Sequence, residues 1–192
     1  DDNKWGDYVH KQFEAYLKAE GQYTLPENLH MYQSYLDGIM RQPGEMHVEW
    51  MMAINTKLEE CGFWDRDCFM RGKQDVVHIN GTRASILDHK TGKRKPKSKQ
   101  MKMAALMMFL IRKDIERCRV AFAWLKTNQF DADEFTRDQI PELWNAFMGD
   151  IKQYQQAFAQ DVWQPRQSGL CHGWCPVTTC EYWKPKRMRD RP

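Results

Sequence analysis

No stretch of 18 consecutive apolar residues occurs in this 192-residue chain, so no segment reads as a membrane-crossing helix. The most apolar run, Met101 to Ile111, is interrupted by Lys102 and falls short. No secretory signal, with its basic start and apolar middle, is visible, and without one a disulfide framework is not expected. The chain opens on Asp1 rather than on an initiator methionine, and upstream residues are expected. Internal repeats and low-complexity tracts are lacking. Net charge is small, at +3, and does not by itself argue for a nucleic-acid partner.

What is present fits a globular protein, with 42% hydrophobic and 29% charged residues. The length supports one sizeable domain with its own core. Charge is unevenly placed. Lys90, Lys93, Arg94, Lys95, Lys97 and Lys99 crowd one loop with no acid among them. Lys184, Lys186, Arg187, Arg189 and Arg191 crowd the C-terminus. Cys61, Cys68 and Cys118 are scattered, whereas Cys171, Cys175 and Cys180 cluster near the end. Without a secretory signal, clustered thiols point to a metal rather than to disulfides.

Apolar periodicity predicts a helix over 3–20, with Trp5, Tyr8, Val9, Phe13, Tyr16 and Leu17 recurring at helical spacing and Gly21 as a stop. Gly6 and His10, four apart, share one side of it. A second helix is predicted over 26–41, ended by Pro43-Gly44. Alternation predicts a strand over 45–53, a loop over 57–67 and a short strand at 68–71. After the basic loop, Ser98 is an N-cap candidate for a buried helix over 99–117. A strand over 118–127 and a helix over 136–161 follow. Leu143, Phe147, Ile151, Tyr154 and Phe158 mark the inner face of that last helix. From Pro165 onward the chain is rich in Gly and Pro and carries the clustered cysteines. This order implies a mixed sheet flanked by helices, with one crossover helix. The division expected is a domain over 1–164 and a cysteine-rich segment over 165–192 on the same domain.

The most informative stretch is Lys73 to Lys93. Asn80-Gly81 signals a two-residue hairpin turn between strands 73–79 and 82–90. That turn would oppose Ile79 to Thr82 and Asp75 to Ile86. Asp88 then lies two residues along on Asp75's face, roughly 7–8 Å away, and Lys90 points to the same face. Two carboxylates at such a separation can share Mg²⁺ or Mn²⁺, which keep open water positions. The ammonium of Lys90 can orient that water or neutralise developing oxyanion charge. The alternative is a solvated edge hairpin with no chemistry.

Gly72-Lys73-Gln74-Asp75 followed by Asp88-His89-Lys90-Thr91-Gly92-Lys93 resembles the PD-(D/E)XK nucleases, and among them the RecB-like branch. Trp5-Gly6-Asp7-Tyr8-Val9-His10 looks like the GxxxH helix of that branch. The resemblance runs from Gly6 to Trp183, its motifs fall in the expected order, and it extends to phage and CRISPR-associated members. It implies a restriction-endonuclease-like α/β fold and a Mg²⁺- or Mn²⁺-dependent deoxyribonuclease, an exonuclease at DNA ends. His10, Asp75, Asp88 and the backbone carbonyl of His89 would hold the metal, with the His89 side chain on the opposite face. Lys90 would position water and Gln100 would orient Lys90 or substrate. Gln100 matches the start of the family's QxxxY element, but Ala104 stands where its Tyr would be. Glu49 is a further ligand candidate, or else a solvated strand residue. Lys93, Arg94, Lys95 and Lys97 would bind phosphates without reading sequence.

The run Leu170 to Trp183 resembles the three-cysteine element of relatives that carry a [4Fe-4S] cluster. Cys171, Cys175 and Cys180 would converge on one centre in a C-terminal knuckle. Relatives complete that centre with a cysteine upstream of the GxxxH helix, which this sequence does not include. Zinc suits such a thiolate set as well. The resemblance also implies a bacterial cytoplasmic or phage-encoded protein, with DNA and recombination or replication proteins as partners and no membrane. A non-catalytic nucleic-acid-binding module that kept the fold is the alternative from another class.

Overall fold

A computed structural model describes residues 2–95 and 99–185. Pro96, Lys97, Ser98 and the basic tail from Lys186 onward, including the expected N-cap and one expected phosphate contact, lie outside the described residues. The fold is mixed α/β. Four α-helices occur among the described residues: α1 (Asp2–Lys18), α2 (Gln33–Met40), α3 (Lys99–Ile111) and α4 (Ile140–Gln160). The five strands are β1 (Glu45–Asn55), β2 (Cys68–Asn80), β3 (Arg83–Lys90), β4 (Arg117–Trp124) and β5 (Gln129–Thr136). They lie in one sheet in sequence order. All neighbours run antiparallel except β3 and β4, which are parallel. A parallel pair needs a crossover, and α3 supplies it.

The chain divides into two compact units, Asp1–Phe147 and Met148–Pro192, with the division inside α4. In the first unit, α1 supplies Val9, Phe13, Tyr16 and Leu17 to a core shared with Leu29, Leu36 and Ile39 and with Val76 of β2. The apolar residues of α3 run nearly all round, and Met101 together with every residue from Ala104 to Leu110 is buried. Each fully buried Leu, Met or Phe there contributes about 1.5–3 kcal/mol.

Several boundaries differ from the sequence reading, each for a local reason. The predicted second helix splits into a 3₁₀ turn (Glu27–Tyr32) and the shorter α2. The short strand at 68–71 and the first hairpin strand are one continuous β2. Helix α3 stops at Ile111; beyond it the Arg112 guanidinium clasps the Asp114 carboxylate at 2.8 and 3.0 Å, and Ile115 is fully buried. Strand β5 is absent from the sequence reading. Its sequence, Gln-Phe-Asp-Ala-Asp-Glu-Phe-Thr, buries only Phe135, and acids are poor strand formers. Its pairing with β4 makes it a strand.

The hairpin turn is Gly81-Thr82 rather than Asn80-Gly81, since Asn80 pairs with Arg83. Gly81 carries φ +58°, the backbone that a type II′ turn requires at its first central residue. The register therefore shifts by two from the expected one, and Ile86 faces Val77 instead of Asp75. A shift of two preserves faces, whereas a shift of one would reverse them.

The second unit holds the C-terminal half of α4 and the cysteine-bearing segment. Ile151 is half-buried, but Tyr154 and Phe158 are exposed rather than inward, stacked on each other at 6.2 Å. The segment is held by its own short bonds. A bridge pairs His172 with Lys184, and Trp183 Nε1 donates to the Cys175 carbonyl at 3.1 Å. The expected convergence of Cys171, Cys175 and Cys180 is not seen. All six cysteines are free thiols, and these three ligand atoms do not gather within 4.8 Å of one another. Cys171 closes a 3₁₀ turn whose Ser168 N–H points at its sulfur at 3.4 Å, and the Cys180 N–H is tied to Val177.

Candidate metal centre

The β2–β3 ladder ends at Val76↔Leu87. Beyond it no ladder pair forms, and Asp75 and Asp88 are the next residue of each strand. The N–H of His89, which a longer ladder would have paired with backbone, donates instead to Asp75 Oδ2 at 2.7 Å. The carboxylate of Asp75 thus occupies the fork between the strands.

From α1, His10 brings Nδ1 to 3.3 Å from the same oxygen, and His89 Nδ1 lies 3.5 Å from it. Gly6 lets the helix come this close. A Cβ at that position would stand 3.0 Å from Thr91 Oγ1, just past the end of β3. His10, Asp75 and His89 form a group whose ligand atoms all lie within 4.8 Å of one another, the donor set that a divalent cation takes. His89 refines the expectation. Its side chain is on the face opposite Lys90, as alternation requires, but there it meets the Asp75 carboxylate through the fork. The imidazole, beyond the carbonyl, is therefore placed to ligate. Its ring is 2% exposed, set edge-on to Phe13 and Tyr35 at 5.1 and 5.7 Å.

The electrostatics follow this geometry. Burial works to raise the Asp75 carboxyl, but the hydrogen bonds and charges of His89 and His10 outweigh it and hold the group well below the usual carboxylate range. The contact with Asp75 raises His10, against burial. Asp88 is raised, first by burial and then by the neighbouring Asp75 charge. Two acids in one fork repel each other, and a cation between them would relieve that repulsion.

On the α3 side, Asp88, Lys90 and Gln100 close into a triangle. The Lys90 ammonium donates to Asp88 Oδ2 at 2.8 Å and to Gln100 Oε1 at 3.0 Å. The Gln100 amide donates to the same Asp88 oxygen at 2.6 Å. Lys90 Nζ also stands 4.7 Å from the centroid of the Phe122 ring. Gln100 therefore contacts Lys90 as its position predicted, and the missing aromatic at Ala104 leaves a small buried residue of α3.

Glu49 is neither a solvated residue nor a member of the ligand group. Its side chain is 8% exposed and forms an ion pair with Lys73. Its φ of +59° is left-handed backbone, which costs a non-glycine residue about 1–2 kcal/mol. The bracketing pairs Val48↔Val76 and Trp50↔Gln74 put it opposite Asp75. In the basic loop, Arg94 is engaged at home. Its guanidinium forks onto both carboxylate oxygens of Asp131 in β5 and reaches Gln129. The spacing of charges in the sequence could not show this, because the acid lies on a strand that composition does not announce. Lys93 and Lys95 are exposed and make no ion pair with another described residue. Tyr35 joins the site without any signal in the sequence. Its hydroxyl is buried without a partner, and no spacing rule ties the 3₁₀–α2 segment to β3.

No protein-family model matches this chain, and no curated protein matches it. Among solved structures, that of SSO0001 is similar over 92% of this chain and 97% of its own, at 11% identity and a TM-score of 0.34, too low a likeness to carry an argument.

Proposed function

We propose that this protein is a metal-dependent nuclease that hydrolyses phosphodiester bonds at DNA ends, with Mg²⁺ or Mn²⁺ held by His10, Asp75 and His89 and with Asp88 beside them. One observation carries the reading. The fork between β2 and β3 places a three-residue ligand group next to a second acid whose oxygen is shared by a lysine and a glutamine. The imidazoles favour Mn²⁺ over Mg²⁺.

When bound, the metal supplies Lewis-acid stabilisation of a phosphate oxygen and acidifies a water. The residues of the chain do the rest. His89, buried between Phe13 and Tyr35, holds its ring rigid. Asp75, accepting from the His89 backbone, is fixed in one orientation. Gln100 holds Lys90 so that its ammonium lies at Asp88, where it can orient a nucleophilic water and offset charge building on the phosphate. The exposed Lys93 and Lys95, on the loop after Lys90, supply attraction for the phosphate backbone without reading sequence.

The test is cleavage of end-labelled DNA with Mg²⁺, Mn²⁺ or EDTA. Wild type should cleave with either metal and not with EDTA, and Asp75→Ala, Asp88→Ala and Lys90→Ala should each lose at least a hundredfold in rate. Lys90→Ala should keep DNA binding. Wild-type cleavage by Asp88→Ala in Mn²⁺ would refute the assignment. DNA binding by wild type without cleavage under any metal would favour a binding module instead.

A further inference from the structure

On the sheet face covered by α2, away from the Asp88–Lys90–Gln100 triangle, two adjoining cavities of about 210 and 380 Å³ share Gln42, His78, Ser85 and Arg119 as common walls. Together they have the size of a small-molecule site. Their two ends differ in chemistry.

One end is basic. Arg83 of β3 pairs with Arg117 of the parallel strand β4, and Arg119 follows two residues on, so the three guanidiniums sit on neighbouring positions of one face. Like charges so placed repel. Only Arg117 is offset, by Glu134 at 3.3 Å. Arg83 and Arg119 form no ion pair among the described residues, although Glu134, which pairs with Arg119 across the strands, lines the same end. Beside them lie the Ser85 hydroxyl and His78, which is 9% exposed. The His78 Nε2 is buried with no partner. Burial pushes this imidazole below its ordinary value, which favours the neutral ring.

The other end is apolar and aromatic. Tyr35 and Phe130 wall it with ring centroids 6.2 Å apart, and Phe130 is 54% exposed. Phe130 pairs with Ala123. Four residues of strand, about 13 Å, therefore separate the Arg119 and Phe130 backbone positions. Side chains leaning in from both ends leave the span of one nucleotide.

We infer that these joined cavities bind a nucleoside monophosphate, with the phosphate on Arg83 and Arg119 and the base against Phe130 and Tyr35. Guanidiniums bind phosphate oxygens bidentately, and every base offers a face to an aromatic ring. A bare phosphate would leave the aromatic wall unused. The site stands on this cavity and is independent of the nuclease reading.

Calorimetric titration tests it, in EDTA so that no metal carries the phosphate. dAMP, inorganic phosphate and deoxyadenosine are titrated into wild type, Arg119→Ala, Phe130→Ala and Asp88→Ala. dAMP should bind at least tenfold more tightly than inorganic phosphate or deoxyadenosine. Arg119→Ala should weaken dAMP at least tenfold. Phe130→Ala should weaken dAMP at least fivefold and leave inorganic phosphate unchanged. Asp88→Ala should bind dAMP as wild type does. Both cavity side chains are solvent-facing, and thermal melts check that the variants fold. Equal affinity for dAMP and inorganic phosphate, or indifference to Arg119→Ala, would overturn the proposal. Loss of dAMP binding in Asp88→Ala would also overturn it, by moving the nucleotide to the metal centre.

Discussion

Replacing Gly6 with alanine sets two consequences of one methyl group against each other. In the helix interior, alanine is favoured over glycine by about 0.8–1.0 kcal/mol. For a domain of this size that gain raises Tm by about 2–4 °C. The new Cβ, however, would lie 3.0 Å from Thr91 Oγ1, where a carbon–oxygen contact relaxes to about 3.3–3.6 Å. Either Thr91 or α1 must yield by about 0.3–0.6 Å. His10 is one helical turn along the same side, and a metal site tolerates about 0.2 Å in its ligand distances. Mn²⁺ affinity should therefore fall about tenfold, the lower end of what a displaced support costs a metal site, while the metal-free protein melts no lower than wild type. Adding Thr91→Ala removes the opposing oxygen and should restore affinity while keeping the helix gain, a coupling that a double-mutant cycle isolates. Mn²⁺ titration by calorimetry and melts in EDTA provide both readouts. Unchanged Mn²⁺ affinity in Gly6→Ala would show that the helix is not seated against Thr91, and the reasoning would fail.

Neutralising Lys93 and Lys95 should weaken DNA binding for all sequences alike and flatten the slope of log K against log salt by about 0.7–0.9 for each phosphate left without its lysine. Arg94→Ala should act differently, lowering Tm through loss of its Asp131 and Gln129 bonds and leaving the salt slope nearly unchanged. Metal binding should release protons and strengthen as pH rises through His10's raised value, since His10 must be neutral to ligate; titrations in buffers of different ionisation enthalpy measure this. In the metal-free protein the His10–Asp75 contact should stabilise most between about pH 3.8 and 6.5, the ordinary values of the two groups. His10's part is lost as pH climbs through its raised value, and Asp75's part is lost as pH falls towards its depressed one. Denaturant midpoints of wild type and His10→Ala should converge outside those limits. The Cys118 thiol, pushed up to about 12 by burial, should escape iodoacetamide until the chain unfolds, while the half-buried Cys171, Cys175 and Cys180 react in the native protein.

Much of the fold could be read from the sequence because its buried elements carry strong periodicity. The alternation around Val76 and Ile86 and the dense apolar surface of α3 set the hairpin and the crossover. Where pairing rather than composition makes the element, the sequence is silent: β5 is a strand because β4 offers it a ladder. The site was legible wherever parity sufficed. Asp88 and Lys90 stay on one face even though the turn lies one residue further along, while the Asp75 carboxylate turns to His10 and His89. Neither the fork that turns the His89 N–H towards Asp75 nor the pairing of Glu49 with Lys73 follows from period-two reasoning, because both arise where the regular ladder stops. The cysteine spacing resembles a metal knuckle, but Cys171, Cys175 and Cys180 do not gather within 4.8 Å of one another.

The left-handed backbone at Glu49 has a meaning for the outer margin of the sheet. β1 and β5 are its two edges, and an open edge invites a foreign strand to add on. On β1, the kink at Glu49 breaks the run of evenly spaced amides that an incoming strand would need. On β5, Asp131, Asp133 and Glu134 line the margin with negative charge, and Arg94 straps across it. Both margins thus carry features that work against strand addition, and with it against growth into the stacked ribbons through which exposed strands aggregate.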